Sequence, residues 1–185
     1  MKSIFIALFI ALASTAASAL DLPVVVQVKF SPWGGIDADE DEFETDNNFN
    51  QYEMTFNNSY SGRVLIGPVY VSHQRSHADI DDKAAGTGDV DVKTFAIGLA
   101  GINYDAIDSP YNAYLMGGIG LGRGTFTFNN GVETEEDMFE ASAEIGIKPF
   151  EHLMLGAGVD FQHFGEFRES KASSWTFYVS SGVAF

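Results

Sequence analysis

Trp175-Thr176-Phe177-Tyr178-Val179-Ser180-Ser181-Gly182-Val183-Ala184-Phe185 is the stretch that decides the fold. Trp175, Phe177, Val179, Ser181, Val183 and Phe185 fall on one face of an extended chain. Thr176, Tyr178, Ser180, Gly182 and Ala184 fall on the other. Alternation with period two marks a strand between two different environments. The larger apolar set ends in an aromatic side chain beside the terminal carboxylate. A frayed, water-exposed terminus gives Phe185 nothing to pack against, so this strand is expected to lie against apolar surroundings to its last residue.

Seven further segments alternate in the same way. They are expected at about Leu22 to Ser31, Phe49 to Asn58, Arg63 to Ser72, Val92 to Asn103, Tyr111 to Gly122, Met138 to Lys148 and Leu153 to Phe164. The sixth is the clearest: Phe139, Ala141, Ala143, Ile145 and Ile147 oppose Glu140, Ser142, Glu144, Gly146 and Lys148. In the first, Val24, Val26, Val28 and Phe30 oppose Val25, Gln27 and Lys29. In the second, Tyr52, Met54 and Phe56 oppose Glu53, Thr55 and Asn57. The third is apolar on both faces and leaves its orientation open; Pro68, which lacks a ladder donor, predicts a bulge within it.

The apolar faces of the last five segments carry no charge at their centres. Lys or Arg there would cost roughly 2–4 kcal/mol at the midplane of a bilayer. The opposite faces are Gly, Ser, Thr and Tyr with isolated charges. That suits the narrow interior of a small barrel better than a solvated sheet face. The connections alternate in length. Asn58 to Gly62, Tyr104 to Pro110 and Pro149 to His152 are short; Pro32 to Asn48, His73 to Asp91, Arg123 to Asp137 and Gly165 to Ser174 are long. Short turns at one rim and long loops at the other are what a membrane barrel with both termini on the turn side has.

The composition agrees. Lys2, the apolar run Ile4 to Ala13 and the small-x-small site Ala17-Ser18-Ala19 read as a cleaved signal peptide, residues 1–19, leaving 20–185 as one barrel domain. The apolar run is too short to span a bilayer as a helix. A formal charge of −16 in 185 residues excludes nucleic acid as the partner, because binding it needs basic patches. The chain has no Cys, so no disulfide framework is expected.

These features together resemble the small eight-stranded outer-membrane barrels of Gram-negative bacteria, of the OmpA transmembrane-domain and OmpX kind. The Trp175/Phe177/Val179/Val183/Phe185 pattern is similar to the C-terminal assembly signal of such proteins. The resemblance implies a closed, all-β, antiparallel up-and-down transmembrane barrel in the outer membrane. It also implies contact with outer-membrane lipid and lipopolysaccharide, and insertion by the barrel assembly machinery.

Inside such a barrel, Lys29, Glu53, Glu140, Glu144, Lys148 and Asp160 are expected to form a polar network. Isolated charges in that space must pair. Lys29 is expected near Glu53, and Glu140 near Asp160 across a hairpin, where two like charges need a cation or a shared proton. The network reads either as a salt-bridged plug or as a narrow route for small solutes or ions. The acids of the loops (Asp37, Asp39, Glu40, Asp41, Glu42, Glu44 and Asp46; Asp79, Asp81, Asp82, Asp89 and Asp91; Glu133, Glu135, Glu136 and Asp137) would keep the surface anionic and could attract divalent cations. Asp37-x-Asp39-x-Asp41 has the oxygen spacing that opens a calcium loop but lacks its Gly and its closing Glu.

His73 and His77 lie beside Asp79, His152 in a turn and His163 at the loop end of an apolar face. Some eight-stranded barrels of this kind modify lipid A, and the deacylase type places a catalytic His and Ser two residues apart on a lipid-facing strand. Arg75, Asp79, Met154 and Gly165 occupy those positions, so no catalytic residue and no cofactor is expected. A soluble lipocalin-like binder, with its apolar face inward, is the rival that drops the membrane. The expected role is structural or surface-interacting, with acidic loops on display; a narrow channel is the alternative, and a lipid A-modifying enzyme a more distant one.

Overall fold

A computed structural model describes residues 22–39, 52–82, 86–104, 112–129, 131–167 and 170–185. The expected signal peptide lies outside the described residues, as do Glu40 to Asp46 and the side chains of Asp37 and Asp39.

Eight antiparallel strands close into one barrel in chain order: β1 (Val24–Asp39), β2 (Tyr52–Ile66), β3 (Val69–Asp82), β4 (Gly86–Asn103), β5 (Ala113–Phe128), β6 (Glu133–Ile147), β7 (Leu153–Phe167) and β8 (Ser170–Ala184). β1 seals against β8 in a register running from Val25 opposite Ala184 to Asp39 opposite Lys171. Closure leaves no unpaired sheet edge. The last residue takes part: Phe185 and Val24 exchange backbone hydrogen bonds of 2.9 and 3.1 Å. His152, in the turn before β7, donates from Nδ1 to the Ala184 carbonyl at 2.8 Å and stacks on the Phe185 ring.

Two expectations about the second and third segments are corrected. Asn58 to Gly62 is not a turn but the middle of β2, and Pro68 lies not inside a strand but in the two-residue turn Gly67-Pro68. Asn, Ser and Gly in a row carry turn chemistry. Here, however, Ser59, buried, belongs to the inward face of a barrel whose interior is polar. Gly67 adopts φ +56°, a conformation that side chains disfavour, which is why the reversal falls there. The segment Arg63 to Ser72 is apolar on both faces because it is two strand ends with a turn between them.

The strands are also longer than expected, at 14 to 18 residues. Much of what looks like loop is barrel wall, and its alternation has changed phase. In the half nearer the turns, the apolar side chains point outward: Phe95, Ile97 and Leu99 on β4, and Ile119 and Leu121 on β5, are each more than half exposed. Nearer the loops the apolar side chains point inward. Val90 and Val92 on β4, Phe126 and Phe128 on β5, Ile36, Phe56, Ala78, Met138, Phe164 and Ala172 form one buried cluster. A second interior cluster, with Val25, Leu65, Tyr70, Tyr114, Met116 and Met154, closes the turn end. Phe56 is among the inward side chains, whereas Tyr60, four residues on, is exposed on the outer face. A bulge between Phe56 and Asn58 resets the parity of β2.

Candidate functional site

Between the two apolar clusters lies a layer of buried charge. Lys29 on β1 donates from Nζ to both carboxylate oxygens of Asp160 on β7, at 2.9 Å each, and rests 4.0 Å over the ring of Tyr178. Arg63 on β2 donates from its two terminal nitrogens to Glu140 (3.0 Å) and to Ser142 (2.9 Å) on β6, and lies 3.6 Å from Asp160. The Arg63 guanidinium also stacks over Tyr70, 4.5 Å from the ring centre. Glu140 accepts further from Tyr70 (3.0 Å) and Ser72 (3.2 Å). Gln162 joins Glu140 to Gln74 and Thr94, and Gln74 continues the chain of hydrogen bonds to Ser76 and Ser59.

Residues 131 positions apart meet here because closure brings β1, β2, β6 and β7 around one narrow lumen. The register sets Glu140 opposite Gln162 and Ser142 opposite Asp160, so Glu140 and Asp160 are diagonal neighbours. Arg63 lies between them. The guanidinium, 3.0 Å from Glu140 and 3.6 Å from Asp160, compensates the two like charges.

Of the six residues expected in the lumen, Lys29, Glu140, Glu144 and Asp160 are buried inside the barrel. Glu144 belongs to a separate group nearer the turns, accepting from Tyr114 (2.6 Å) and Gln27 (2.7 Å). Lys148 stands at the turn rim over Tyr104, 5.0 Å from its ring centre, apart from the network. The backbone of Glu53 lies opposite Asp37 and Asp81, well beyond the bulge toward the loops, and its side chain lies outside the described residues. Lys29 therefore meets Asp160. Arg63 is the member that the sequence reading missed. Its place became visible only once the turn moved from residues 58–62 to Gly67, which puts Arg63 in the middle of a strand.

The tyrosines of this layer need glycine walls. A methyl group on Gly120 would come 2.4 Å from the Tyr70 hydroxyl, and one on Gly146 would come 2.4 Å from the Tyr114 ring. Rings lying flat against bare backbone leave room for the charges, and their hydroxyls reach Glu140 and Glu144.

The outer wall has a different character near the loops. Arg75 and His77 on β3 bond Asp91 on β4, both at 3.1 Å, and Arg123 on β5 contacts Glu135 and Asp137 on β6 at 3.3 Å each. These groups are largely solvent-exposed. The hydrogen bond from His77, and then the Arg75 guanidinium, hold the Asp91 carboxyl below its ordinary value of 3.8. His73 bonds the Thr94 carbonyl at 2.8 Å and stands apart from the acids.

His163, on the outward face of β7, meets Ser173 of β8 across the ladder, Nδ1 to Oγ 3.0 Å. A search for Ser within one strand could not find this pair, because the contact runs between strands. Among the described residues, Ser173 is the hydrogen-bond partner of that ring, and no carboxylate orients it.

No protein-family model and no curated protein sequence matches the chain. Solved structures do. Neisserial surface protein A (NspA) superposes with a TM-score of 0.57 at 11% identity, over 88% of this chain and 97% of that one. The outer membrane protein OprG from Pseudomonas aeruginosa superposes with a TM-score of 0.58 at 12% identity, over 89% of this chain and 96% of that one. At such identities the likeness is one of fold: the small eight-stranded barrel.

Proposed function

We propose that this chain is an outer-membrane barrel with no catalytic role, a sealed membrane anchor that holds an acidic wall outside the bilayer. The observation that carries the reading is the ion-paired layer across the lumen. Lys29 pairs with Asp160 and Arg63 with Glu140, and this layer lies between two packed apolar clusters, which supports a plug rather than a path. The outward apolar belt matches the lipid-facing band of such barrels, and Trp33, Tyr60, Phe95, Phe139 and Trp175 supply exposed aromatic residues for its edges. Above the belt, His77, Asp79, Asp89, Asp91, Glu133, Glu135 and Asp137 face water. That wall suits contacts with lipopolysaccharide phosphates bridged by divalent cations, or with external partners. Trp175, Phe177, Val179, Val183 and Phe185 all face the lipid and would serve as the signal read by the assembly machinery.

Purified protein in planar bilayers tests the seal. No stepwise conductance is expected from the wild type. Discrete openings that disappear in Glu144→Leu would overturn the sealed reading in favour of a narrow channel. Cell fractionation tests location, since recovery of soluble protein from the periplasm would contradict a lipid-facing belt.

The His163–Ser173 contact supports a second reading, hydrolysis of a lipid ester at the membrane boundary. Among the described residues it lacks a group to orient the base. Overproduction should leave the acyl pattern of lipid A unchanged in mass spectra; loss of one acyl chain that Ser173→Ala abolishes would make the protein an enzyme.

A further inference from the structure

We infer that His77, Asp79 and Asp89 form a binding site for a divalent transition-metal ion on the outer wall of the barrel. One ring nitrogen of His77 and one carboxylate oxygen from each Asp lie within 4.8 Å of one another. The placement follows from the ladder. His77 and Asp79 are two apart on β3 and so share the outward face; Asp91 and Asp89 stand directly opposite them on β4. Four side chains thus make a two-by-two patch on rigid strand rather than on a loop.

Acids alone would be a solvated face. Three features separate this patch from that. First, Asp79 and Asp89 are like charges directly opposite each other, an unfavourable cross-strand pair. Among the described residues no Lys or Arg makes an ion pair with either, whereas the neighbouring Asp91 has Arg75. Second, the third donor is an imidazole, which suits zinc, copper or nickel rather than the all-oxygen shells of calcium and magnesium. Third, the ring has a carboxylate partner of its own. Nδ1 of His77 lies 3.1 Å from Asp91 Oδ1; a proton held there for the carboxylate would leave the lone pair on Nε2 for a metal. Metal-bound histidines are typically held by a carboxylate in this way, and losing such a partner costs about 10–100-fold in affinity. Asn57 steadies Asp79 from β2, donating to Oδ2 at 2.8 Å.

Zinc takes such ligands at about 2.0–2.2 Å in a tetrahedron, which sets the ligand atoms about 3.3 Å apart. The three side chains would therefore close inward by about an ångström. Three protein ligands leave one position open for water or for a phosphate oxygen. The inference rests on the proposed reading that this end of the barrel stands in water, yet its failure would leave the sealed anchor intact.

The test is calorimetric titration of the full barrel, folded in detergent micelles, with Zn²⁺ alone as the probe. One ion per barrel is expected. His77→Ala and Asp89→Asn should each weaken binding at least tenfold. Asp91→Asn should weaken it by an intermediate factor, and His73→Ala should leave it unchanged. Heat-modifiable gel mobility checks that each variant is folded. A folded wild type that binds no zinc, or binding that His77→Ala leaves intact, would overturn the site.

Discussion

The two halves of this barrel wall are built by opposite rules. Leu121 and Arg123 are two residues apart on β5 and share its outward face, yet one lies in the apolar belt and the other reaches Glu135 and Asp137 in water. On the inward face the order is reversed: Gly120 lines the charged layer, whereas Phe126 packs edge-on against Phe164 at 5.0 Å. The lower half puts charge inside and hydrocarbon outside; the upper half does what a soluble sheet does. On the proposed membrane reading, what changes between them is the medium beyond the wall. Paired charges of the same types therefore have different weight in the two places, since those around Arg63 are desolvated and those around Arg123 are screened.

Breaking the inner pair should have the largest effect. Asp160→Ala leaves Lys29 buried without its main partner and should destabilise the folded barrel by about 3–5 kcal/mol, read as a shift of the urea midpoint in micelles. Replacing Lys29 and Asp160 together by Met should recover much of that loss, because two apolar side chains leave no orphaned charge.

Leu121→Arg sets a cation against lipid and should cost roughly 2–4 kcal/mol, less if the side chain reaches the headgroups. Gly146→Ala should cost about 1–3 kcal/mol, because the added methyl meets the Tyr114 ring against the wall. Arg123→Leu, on the same face as Leu121 but beyond the belt, should change stability by no more than about 1 kcal/mol, and the difference should shrink in high salt. A large effect of Arg123→Leu would mean that the boundary between the halves lies elsewhere.

The smallest effect expected is one of pH. Asp91 has its folded pKa below 3.8, the ordinary value. Its contribution is therefore complete above the ordinary value and disappears as the pH falls below it toward the folded pKa. Wild type and Asp91→Asn should differ in thermal stability near neutral pH and converge as the pH falls through the folded pKa of Asp91, below the ordinary carboxylate value. A difference that persisted there would assign the effect to packing rather than charge.

The alternation in the final strand was enough to read the inward and outward faces of the lower half. Trp175, Phe177 and Val179 on one face, with Tyr178 and Ser180 on the other, can satisfy their surroundings in few ways other than a wall between lipid and a polar lumen. The charges of Lys29, Glu140, Glu144 and Asp160 were legible for the same reason, as rare charges on inward positions. Their partners were not. Lys29 could not be matched to Asp160, 131 positions away, without knowing that β1 closes near β7, and Arg63 could not be placed while Ser59 and Gly62 read as a turn. Local pattern reports what each strand faces. Closure and register decide which side chains from distant strands share one cross-section, and only the three-dimensional wall shows at what height the alternation changes phase.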